Sequence, residues 1–80
     1  MYYDITNVSQ VGKITDNKDG TYTMFFNIDF THSGGDYYGK GWQETASFIF
    51  LETDTALDIK DKMVAAAVVY MEAKYPIPGV

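Results

Sequence analysis

The chain has 80 residues, 46% of them hydrophobic and 16% aromatic, with a formal net charge of −5 and no cysteine. A length of this order makes one domain with a small core, and the absence of cysteine removes both disulfide support and thiolate metal sites. Six lysines and no arginine against eleven acidic residues exclude a binder that works by neutralising nucleic-acid phosphates, so no direct nucleic-acid partner is expected.

The opening stretch, MYYDITNVSQ, has neither a basic segment nor an apolar run, so no signal peptide is read there and synthesis in the cytoplasm is expected. No apolar segment is long enough to span a bilayer. Residues 5 to 16 read as a first strand, ending at DNKDG, whose turn chemistry predicts a three-residue loop of Lys18, Asp19 and Gly20 with Gly20 left-handed. Counting outward from an Asn17–Thr21 pair places Ile14 opposite Met24, Gly12 opposite Phe26 and Val8 opposite Phe30, with Gly12 leaving room for the Phe26 ring.

TYTMFFNIDF is the clearest element. Tyr22, Met24, Phe26, Ile28 and Phe30 alternate with polar neighbours and Phe25, a period of two that puts the even residues on the core side of a strand over about 21 to 31. WQETASFIF supplies a third strand over about 42 to 52. A tight Gly34-Gly35 turn would pair even residues with odd ones, so the register that matches core with core instead sets Phe30 opposite Trp42, Phe26 opposite Ala46 and Met24 opposite Phe48, leaving residues 31 to 41 as a long loop. In that loop His32 reads as solvent-exposed, and Trp42 as a plug for the end of the sheet. Glu44 has core-side parity, which implies a place at the rim or a bulge that turns it outward.

After Leu51 the period changes to that of a helix over about 55 to 75, with Thr55 and Asp58 at capping-box spacing. Ala56, Ile59, Met63, Val64, Ala67, Val68, Tyr70 and Met71 form one broad apolar face, and Ala65 and Val69 fall on the other side. The remaining residues, 76 to 80, are proline-rich and read as an extended tail.

Catalytic and ligand-binding patterns are fragmentary. Gly39-Lys40-Gly41 lacks the hydroxyl residue and helix of a phosphate loop, and DNKDG lacks the bidentate carboxylate of a calcium loop. His32 and Asp36 make at most two metal ligands, so no metal or cofactor is expected.

The fold expected is therefore α+β, a single domain over residues 1–75 in which a three-stranded antiparallel meander carries one C-terminal helix across one face. The expected function is that of a non-enzymatic assembly or interaction subunit, self-associating or seated in a larger complex, of which a minor structural protein of a virion is one setting. Its interface residues are read as Phe25, Ile49 and Leu51 on the far side of the sheet, Tyr37 and Tyr38 in the loop, Val69 on the helix, and Ile77 and Val80 in the tail. A rival reading is a small acidic inhibitor, virus-encoded, of a nucleic-acid-binding enzyme, with Asp54, Asp58, Asp61 and Glu72 as its anionic face.

Overall fold

A computed structural model of the chain describes residues 3–32 and 41–75. Three antiparallel strands, β1 (Tyr3–Asp16), β2 (Thr21–His32) and β3 (Gly41–Leu51), form one sheet in the order β1-β2-β3, and helix α1 (Ala56–Lys74) packs on one face of it. The fold is α+β, as the alternation and the change of period predict.

β2 forms the centre because its period of two is uninterrupted. Met24, Phe26, Ile28 and Phe30 are buried on the helix side, and the last three cluster with Ala67 and Met71 there. Phe48 meets Phe26 edge-on at 5.7 Å, and Tyr22 stacks on Phe50 at 5.5 Å, so aromatic pairs run across the strands. The β2–β3 register is the one that parity requires, with Phe30 opposite Trp42, Phe26 opposite Ala46 and Met24 opposite Phe48, unbroken from Thr31–Gly41 to Thr21–Leu51.

β1 departs from the counted register. The pairs Asp16–Tyr22 and Thr15–Thr23 follow it, but between Val11 and Thr15 three residues span the space of one, so Val8 faces Ile28 and Gln10 faces Phe26. Gly12 is thus not the partner of Phe26, nor Ile14 of Met24. Gly12 lies in the irregularity at φ +72°, with open space where a Cβ would project, so it is needed for backbone conformation and not for clearance. A second irregularity at Thr6, whose hydroxyl donates to the Asp29 carbonyl at 3.1 Å, shifts the register by one, inverts parity and brings Ile5 and Tyr3 to the core side. In the β1–β2 turn Gly20 is left-handed as expected (φ +87°), and Lys18 is too (φ +64°), its N–H donating to the Asp16 carboxylate at 2.9 Å.

α1 begins with a complete capping box. The Asp58 N–H donates to the Thr55 hydroxyl, and the Thr55 N–H donates to the Asp58 carboxylate. The buried stripe is narrower and turned relative to the broad face read from the sequence. Ile59, Met63, Ala66, Ala67, Tyr70 and Met71 face the sheet, whereas Ala56, Val64 and Val68 are exposed. The helix lies over β3 more than over β1, which rotates those valines out past the covered strands.

Candidate interaction surface

The sheet face away from α1 has no covering layer among the described residues. Phe25, Ile49 and Leu51 are 48%, 60% and 47% exposed on it, joined by Val11 opposite Phe25. These four occupy the half nearest the β1–β2 turn. The other half is polar and internally bonded: Gln43 donates to Asp29 at 2.8 Å and the Thr45 hydroxyl to Asn27 at 2.8 Å. This face is a strip of threonine, serine, asparagine and apolar groups in which Gln43 and Thr45 are bonded to Asp29 and Asn27 of β2.

Of the interface residues read from the sequence, Phe25, Ile49 and Leu51 share the open face, and Val69, 67% exposed, projects from α1. Tyr37, Tyr38, Ile77 and Val80 lie outside the described residues. An open cleft of about 520 Å³ at the outer side of β3 brings Phe25 and Val69 together with Ala46, Ser47, Ala66 and Tyr70. Phe25 reaches it because its partner on β3 is Ser47, a side chain too small to screen the ring.

Two aromatic residues differ in burial from the sequence expectation. His32 is the last residue of β2 and is buried, only 4% exposed, with its ring edge-on to Phe30 at 5.7 Å and to Trp42 at 5.5 Å. The strand runs one residue further than counted, and even parity carries His32 to the core side. Trp42 remains 47% exposed and so only partly closes the sheet's end.

Glu44 lies at the rim of the sheet, one of the two places read for it, on edge strand β3 and with no bulge to turn it outward. Its carboxylate stays on the helix side, where it accepts from the hydroxyls of Tyr70 (2.8 Å) and Tyr75 (3.0 Å) and pairs with the Lys74 ammonium. The hydrogen bond from Lys74 above all, then those from the two tyrosines, holds the Glu44 carboxyl below the usual range against the opposing effect of burial. Lys74 is raised in turn by Glu44 and Tyr70, and the Tyr75 hydroxyl is pushed up by burial first and by Glu44 second. A second pair, Lys62 with Asp54, ties the start of α1, and Asp54 also accepts from the Leu51 N–H at 2.8 Å. The helix is thus fastened at both ends on the β3 side. Sequence reading had the parity of Glu44 and missed its partners; Tyr70 and Lys74, one helical turn apart, were the signal that a carboxylate lay beneath them.

Among the described residues no group of three or more His, Asp or Glu side chains is placed to hold a metal ion, and no helix is long and apolar enough to cross a membrane. The chain matches no protein-family model, no curated protein and no solved structure, so the surface itself is what there is to interpret.

Proposed function

We propose that the protein is a non-enzymatic interaction module that seats the open face of its sheet against a protein partner within a larger assembly. The observation that carries this reading is the cluster of Val11, Phe25, Ile49 and Leu51, apolar and exposed on the sheet face opposite the helix. A two-layer domain gains by covering such a face, and a partner protein supplies the missing layer. The proposal concerns mode of action, and the virion setting expected from the sequence forms no part of it. Of the four acidic groups that an inhibitor would present, Asp54 is engaged by Lys62 and Asp58 by the helix cap, which favours the first reading.

A photo-crosslinking residue placed at Val11 in producing cells is expected to give discrete protein adducts, and one placed at exposed Ala65 on the outer side of α1 is not. Phe25→Asp is expected to remove the Val11 adducts. Equal labelling at the two positions, or none at Val11, would overturn the proposal.

A further inference from the structure

The two edges of the sheet are built differently. β1, one edge, carries two breaks in register, a left-handed glycine, and Asp4, Lys13 and Asp16, all features that keep another strand from pairing. β3, the other edge, runs eleven residues in unbroken register with no proline, no lysine and a single charge, Glu44. That charge is answered by Lys74 of the same chain, so the edge presents nothing that repels a like strand. Among the described residues no strand lies beyond β3.

From this we infer that β3 pairs antiparallel with β3 of a second copy across a two-fold axis at Thr45, joining two sheets into one of six strands. The surface involved is the edge of β3, which adjoins the open face at Phe25, and the inference stands without that reading. Keeping both helices on one side requires even residues to pair with even ones. Centring the axis on Thr45 then sets Trp42 opposite Phe48 of the second copy and Glu44 opposite its Ala46. An axis at Ala46 or Ser47 would set Glu44 against Phe48 or Phe50. Trp42, half-exposed beside His32 and opposite Phe30 on its own chain, gains in this register a further aromatic neighbour.

The helix agrees independently. Val69 shares a cleft with Thr45, Ala46 and Ser47, so it stands level with the middle of β3, beside the proposed axis. Val69 and Ala66 of one copy therefore meet their equivalents over the junction, which gives the cleft that they line with Phe25, Thr45, Ala46, Ser47 and Tyr70 an occupant. A nine-residue pairing is about 30 Å long, and a strip about 15 Å deep covers roughly 450 Å² of each copy. The total of about 900 Å² lies below the roughly 1,200 Å² at which stable interfaces begin, as suits weak association.

Because the chain has no cysteine, one introduced thiol reports the axis without ambiguity. Thr45 is exposed, so Thr45→Cys leaves the core intact. At the axis two such thiols have Cα atoms within disulfide reach, whereas two Ser47 residues lie about 14 Å apart and cannot be bridged. Under mild oxidation of the purified protein, Thr45→Cys is expected to form a covalent dimer at least about tenfold faster than Ser47→Cys or Val11→Cys. Light scattering of the native chain should give twice the 9.0 kDa monomer mass at high concentration. Thr45→Lys should return it to the monomer while Val11→Lys does not. A monomer at millimolar concentration, or faster crosslinking at Ser47 or Val11, would overturn the inference. A monomer in solution whose Val11 probe still labels another protein in cells would leave the open-face proposal standing.

Discussion

Glu44 sits on a face otherwise made of aromatic and aliphatic groups, and three donors from one helix end converge on it. Glu44→Ala leaves the Tyr70 and Tyr75 hydroxyls without their acceptor and is expected to cost about 2 to 3 kcal/mol, whereas Glu44→Gln, which retains a carbonyl acceptor, costs about 1 kcal/mol. Urea titration of the two variants measures the difference. The folded-state carboxyl is depressed, so its stabilisation is complete above the ordinary glutamate value near 4.3 and is lost as pH falls through the lower folded value. Lys74 is raised, so its share is complete below about 10.4 and is lost as pH rises through the higher folded value. Melting temperature is therefore expected to hold level from about pH 5 to pH 9 and to fall on either side, with a shallower acid limb in Glu44→Ala. Asp54 and Asp19, also depressed, retain part of that limb.

Elements were legible where a single period governs them and illegible where backbone geometry interrupts it. The alternation of β2 dictates its buried face and, by parity, the register of β3. The change of period after Leu51, with Thr55 and Asp58, dictates the start of α1. β1 defeats counting because its irregularities shift the pairing by two residues near Gly12 and by one at Thr6, and an isolated glycine does not say whether it supplies room or a left-handed turn. Its φ of +72° in open space decides for the turn. Gly12→Ala is accordingly expected to destabilise the domain by about 1 kcal/mol, and Gly12→Asn by less, since asparagine tolerates the left-handed region. Thermal melts of the two variants distinguish this from a clearance role, under which the larger asparagine would be worse. The helix face was misjudged for a different reason: Val64 and Val68 fit the wheel, but ties at Asp54 and Glu44 draw α1 toward β3 and leave them outside. The open face was legible as a list of residues, because parity assigns Phe25, Ile49 and Leu51 to it. The cleft uniting Phe25 with Val69 was not, because it depends on the small size of Ser47 and on where the helix lies across the strands.

At the scale of the domain, the small core sits on the helix side, with seven buried apolar residues among the described ones, and the open face contributes little to folding of the single chain. Charge substitutions such as Ile49→Lys and Leu51→Lys are therefore expected to change unfolding free energy by no more than about 0.5 kcal/mol while abolishing partner adducts. A matched loss of stability and of binding would instead show that these side chains serve the fold. The lateral seat of the helix has a further consequence. Since α1 is bonded to β3 and β3 pairs without interruption to β2, those three elements form one cooperative block, and β1 is attached to it along a single, twice-broken ladder with little helix cover. In amide exchange, β1 should open first and at lower free energy than the rest, leaving the flank of β2 briefly bare. The same domain thus holds one permanent boundary for strand addition and a second that exists only during fluctuations, its own N-terminal strand acting as the occupant most easily exchanged.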